Sequence, residues 1–99
     1  MNLRLHTRTR REIRHVVDWL DRNSGRAGDE FLLELNAALE NIAKNPTHFH
    51  FASGNLRRCN LQRFPYHILY EIHLTHVHVL TVKHHRRHPD YGRKSREND

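Results

Sequence analysis

The hydrophobic period of this chain changes once, and that change limits the folds open to it. From Thr7 to Lys44 apolar residues recur three and four apart; from Arg57 to Val82 they recur at every second position. The first spacing lines up side chains on one stripe of a helix, the second on one face of a strand. Asn45-Pro46 divides the two regimes, because the residue before a proline is pushed out of the helical region.

The first regime reads as two helices. Thr9-Arg-Arg-Glu12 has capping-box spacing, so a helix starts near Thr7 or Thr9. Ile13, Val16, Val17 and Leu20 form its stripe, and Asn23-Ser24-Gly25 breaks it. Ser24 is placed to cap a second helix. Ala27, Phe31, Leu35, Ala38 and Ile42 share one face of that helix, widened by Leu32 and Leu39. Asp29, Glu30, Glu34 and Glu40 lie opposite, where a change such as Glu34→Ala is expected to cost no more than about 0.5 kcal/mol. Two amphipathic helices joined by a tight break predict an antiparallel hairpin lying on an apolar surface.

The second regime reads as strands. Arg57 to Gln62 alternates weakly; Tyr66, Ile68, Tyr70 and Ile72 alternate clearly, as do Val77, Val79 and Thr81. The links at Arg63-Phe-Pro65 and His73 to His76 are short enough for hairpins. Leu3 and Leu5 predict a short strand ahead of the first helix. Trp19 and Tyr70 are expected in the core, Phe49 and Phe51 at the edge of the helical hairpin, Pro65-Tyr66 at a packing corner, and Cys59 as a small buried hydrophobe. The predicted order is β-α-α-β-β-β. This is an α+β fold, a helical hairpin packed on a mostly antiparallel four-stranded sheet. Ninety-nine residues make one domain, 1–99, with a polar tail from about Tyr91.

Charge is distributed unevenly. The net charge is +6. Residues 57–99 hold seven arginines and two lysines against four acids. Such a half reads as a surface for phosphate or for an acidic protein. Arg57, Arg63, Lys83 and Arg86 are the candidates for contact with a nucleic acid or protein target. No stretch is apolar and long enough for a signal peptide or a membrane span, and the single cysteine cannot form an internal disulfide. These features predict a cytoplasmic protein. Eleven histidines include His48-x-His50 and His76-x-His78. Structural zinc usually takes four ligands, often thiolates, so neither metal nor cofactor is expected.

Three segments carry a family resemblance: Ala27-x3-Phe31 through Leu39-x2-Ile42-x3-Pro46, Arg63-Phe-Pro-Tyr-His-Ile-Leu-Tyr70, and Val82-Lys-His-His-Arg-Arg-His-Pro89. In this order they resemble the RelE/ParE toxin superfamily of type II toxin–antitoxin systems, the plasmid-stabilisation type. The resemblance implies a growth-inhibiting bacterial toxin silenced by a cognate antitoxin protein. RelE-like members cut mRNA on the ribosome without metal; ParE-like members poison DNA gyrase. The alternative is a non-toxic basic RNA- or protein-binding module on the same fold.

Metal-free RNA cleavage requires activation of the 2′-hydroxyl, stabilisation of phosphorane charge, and protonation of the leaving 5′ oxygen. By resemblance, Arg58 falls where RelE-like endoribonucleases place a basic residue, and Arg87 matches the arginine after the last strand. Tyr91 lies near the family's terminal tyrosine with shorter spacing. Asn60 stands where many members carry lysine, and His67 where they carry arginine. A variant built on His67, His84 or His85 is the remaining route to acid–base chemistry.

Overall fold

The computed structural model describes residues 1–86. Arg87, Tyr91 and the polar tail lie outside the described residues. The elements are β1 (Asn2–Leu5), α1 (Thr7–Asn23), α2 (Ala27–Lys44), β2 (Phe51–Ser53), β3 (Leu56–Asn60), β4 (Tyr66–Ile72) and β5 (His76–His84). The fold is the expected α+β helical hairpin on a sheet, with five strands in place of four. They are ordered β1-β5-β4-β3-β2. β1 pairs in parallel with β5, Leu3 opposite Val77; the other neighbours are antiparallel. The additional strand, β2, is three residues long and exposed throughout, so it carries no alternation of buried and solvated positions. Its hairpin with β3 turns at Gly54, whose φ of 53° lies in the left-handed region that glycine adopts without strain.

The core is built by the two predicted faces meeting. Phe31, Leu35 and Ile42 of α2 are fully buried with Ile68 and Tyr70 of β4 and Val77, Val79 and Val82 of β5. Leu20 closes the α1 stripe, and Ile13, Val16 and Val17 pack partly buried beside it. Cys59 is buried as expected, and burial raises its thiol pKa, with Glu34 adding to the effect. Trp19 departs from expectation and is 52% exposed. At 100° per residue it stands well off the stripe of Ile13, Val17 and Leu20. Phe51 is 59% exposed, with the Arg57 guanidinium 4.0 Å above its ring. Phe49 packs edge-on against Tyr70.

The helix termini use other groups than the sequence spacing suggests. His6 caps α1, its ring nitrogen accepting the N–H of Arg8. Thr9 is buried and donates its hydroxyl to the carbonyl of Leu80 at 2.7 Å. Glu12 accepts the Thr81 hydroxyl and the Val82 N–H. The pair read as a capping box instead stitches α1 to β5. Ser24 ends α1 and donates its N–H to Leu20. The first turn of α2 is satisfied by Asp21, whose carboxylate accepts the N–H of Gly28 at 3.1 Å. A Cβ at Gly28 would push that carboxylate aside, so a larger residue there gives up this contact between α1 and α2. The predicted stop holds, with Asn45 closing α2.

Candidate functional site

The pairing of β3, β4 and β5 gathers polar side chains on one sheet face. Asn60 stands opposite His67, and His67 opposite Lys83. Arg58 lies two rungs along, opposite Leu69. Cys59, Ile68 and Val82 form the rung between them and are buried in the core. Side chains alternate along a strand, so Arg58, Asn60, His67 and Lys83 occupy the face turned away from the helices.

His85 folds back over this face. Its backbone N–H donates to the Pro65 carbonyl at 2.8 Å just past the end of β5. Its ring stacks on His67 at 5.2 Å between centroids and 13° between planes. The two Nδ1 atoms are 3.0 Å apart. Arg58 Nη2 also reaches His85 Nδ1, at 3.4 Å, and Arg58 Nε donates to Asn60 Oδ1 at 2.7 Å. A guanidinium only donates, so His85 Nδ1 is the acceptor of this group. The His67 Nδ1–H then donates to it, which leaves the lone pair of His67 on Nε2.

Burial and neighbouring positive charge disfavour the protonated form of both rings. The His67 ring is 4% exposed, and its pKa falls to about 4. Burial is the main cause; Arg58, His85, Lys83 and His84 add positive charge around it. His85 is lowered too, by desolvation first and then by Arg58 and His84. The cluster is two imidazoles, both shifted towards the neutral form, inside a cationic rim. Such a rim can hold a phosphate or a carboxylate. A base with a pKa near 4 has little proton affinity to offer at neutral pH.

The structure therefore brings Arg58, His67, His85 and Lys83 together. His84 lies against Tyr66, rings 5.0 Å apart and nearly perpendicular, and its Nδ1 accepts the Arg86 N–H at 2.9 Å. Arg57 and Arg63 lie elsewhere. Arg57 donates to the carbonyls of Phe49 and Thr47, pinning the chain between α2 and β2. Arg63 pairs with Glu30 at 3.0 Å, and Glu34 accepts the N–H groups of Gln62 and Arg63, so α2 holds the β3–β4 turn. Asn60, which the sequence presents as a lost cation, serves as the acceptor that aims Arg58. The two-residue spacing on β3 puts both side chains on one face of the strand, so strand alternation is the signal that could have found this contact.

Among the described residues no helix is long and apolar enough to cross a membrane. In comparisons with known proteins, no curated protein sequence matches this chain. Among solved structures it resembles one described as "Chromosomal ParDE TA system from P. aeruginosa", at 10% identity and a TM-score of 0.76. That likeness covers 85% of this chain and 95% of the other, and at such identity it speaks for the fold. Residues 3–89 match the family model described as ParE toxin of type II toxin-antitoxin system, parDE. With that match spanning the helical hairpin, the sheet and the His67–His85 cluster, the chain belongs to the ParE toxin family of type II toxin–antitoxin systems.

Proposed function

We propose that this chain is the toxin of a type II pair, that it arrests bacterial growth in the cytoplasm until an antitoxin covers it, and that it acts by seating on DNA gyrase rather than by cutting mRNA. Family membership supports the toxin role, since a toxin of this class is made beside a neutralising partner. The observation that carries the choice of target is the state of His67. It occupies the rung where RNA-cutting relatives carry an arginine, yet it is buried, with a pKa near 4. General acid–base catalysis works best with a group titrating near the working pH. Arg58, which is exposed, is aimed by Asn60 and touches His85. The cationic rim suits an acidic or phosphate-bearing partner surface more than the turnover of a phosphodiester.

The test is regulated expression in a bacterial host, with and without the adjacent partner gene. Plasmid supercoiling and mRNA integrity are read separately. Growth arrest relieved by the partner, with altered supercoiling and intact mRNA, is the expected result. Cleaved mRNA with normal supercoiling would replace gyrase by the ribosome as the target. Undiminished growth at good soluble expression would point to a binding module that kept the fold without toxicity.

A further inference from the structure

A second histidine cluster lies on the same sheet face, at the other end of β4. Glu71 stands directly opposite His78 in the β4–β5 register. His73, two residues after Glu71, donates its N–H to the carbonyl of His76 at 2.8 Å. The hairpin therefore sets Glu71, His73, His76 and His78 at the corners of a small square. His73 Nε2 is 2.7 Å from Glu71 Oε1. The His73 ring lies 4.8 Å from that of His76 and 5.3 Å from that of His78. One ligand atom from each of Glu71, His73 and His78 falls within 4.8 Å of the other two.

We propose that Glu71, His73 and His78 bind a divalent transition-metal ion, zinc foremost. Imidazole and carboxylate together are a borderline donor set, suited to zinc, copper or nickel rather than to magnesium or calcium. Zinc bonds of about 2.0–2.2 Å place tetrahedral donors about 3.4 Å apart. The three donors need only close on the ion, and their side chains can move: His73 is 40% exposed and Glu71 31%. Two histidines and one carboxylate leave a fourth position for water or for His76. Beside the cluster, Arg4 stands opposite His78 in the β1–β5 register. His6 stacks on the outer side of His78 at 5.9 Å. This site shares no residue with the His67–His85 cluster, and it bridges the two strands of one hairpin, so occupancy should brace the turn at Leu74.

The experiment is calorimetric titration of zinc chloride into the full, chelator-stripped chain, with thermal melting in parallel. Saturable binding of one zinc per chain and a thermal midpoint raised by several degrees are expected. Glu71→Gln and His78→Ala should each weaken binding at least tenfold and abolish the thermal shift. His85→Ala and His48→Ala should bind as the parent does. Cobalt in place of zinc should give the visible absorption of a tetrahedral ion in the parent and lose it in His78→Ala. Absence of saturable binding would overturn the proposal. So would binding that survives both Glu71→Gln and His78→Ala, or binding that His85→Ala removes.

Discussion

The hydroxyl of Tyr70, from the centre of β4, donates to the carbonyl of Pro46 at 2.6 Å. It joins the residue that ends the helical half of the chain to the middle of the sheet. Tyr70 is fully buried, and burial pushes its pKa up to about 12. An unfolded tyrosine ionises near 10, so the folded state holds its proton where the unfolded state has lost it. Stability should be intact below about pH 10 and fall as pH rises towards 12. Tyr70→Phe should cost about 1–2 kcal/mol at neutral pH, since the Pro46 carbonyl loses its donor. It should also flatten the alkaline limb of stability against pH. Urea midpoints between pH 7 and 11 for both proteins test this; an unchanged alkaline limb in Tyr70→Phe would assign that limb to another group.

The acid limb should belong to His67. Its folded pKa of about 4 lies below the unfolded value, so it contributes stability above about pH 6.5, and that stability is lost as pH falls towards 4. The loss should be on the order of 2 kcal/mol, because a tenfold difference in proton affinity between the folded and unfolded states is worth about 1.4 kcal/mol and the ring is not wholly isolated from water. His67→Gln should show a shallower decline over the same window. Denaturation midpoints at pH 4.5, 5.5, 6.5 and 7.5 decide it. A variant as acid-sensitive as the parent would place the titrating group elsewhere.

Adjacent positions on α2 should behave differently from the pattern that helical periodicity predicts. Leu35 is 1% exposed, and Leu35→Ala should cost about 2–5 kcal/mol through transfer and cavity terms. Glu34 faces away from that stripe, yet its carboxylate accepts the N–H groups of Gln62 and Arg63. Glu34→Ala should therefore cost about 1–2 kcal/mol, more than a solvated acid would. Denaturant midpoints of the two variants measure both losses. A Glu34→Ala loss within a few tenths of a kcal/mol would mean that water replaces the carboxylate at the β3–β4 turn.

Arg87, which lies outside the described residues, matches by resemblance the arginine that follows the last strand in the superfamily. Arg87→Ala should abolish growth inhibition while leaving the thermal midpoint unchanged. Lysine there should rescue only in part, because a point charge cannot reproduce a bidentate fork. A well-folded Arg87→Ala that arrests growth as the parent does would remove this side chain from the target contact.

What the sequence by itself determined was local. Period and punctuation placed both helices, the stop at Asn45-Pro46 and strands β3 to β5, because burial of one stripe or one face is written in adjacent residues. The same logic could not reveal β2, whose three residues are all exposed. Nor could it place Trp19, since an aromatic residue can lie beside a stripe without joining it. Tertiary structure decided everything that depends on partners far along the chain. It paired β1 in parallel with β5, Leu3 beside Val77. It turned Thr9 and Glu12 from a local cap into bonds to Leu80, Thr81 and Val82. Strand register brought Arg58, His67 and His85 together at one end of β4, and Glu71, His73 and His78 at the other. Register is set by which faces must be buried across the whole sheet, and a slip of one residue would turn each of these side chains to the opposite face.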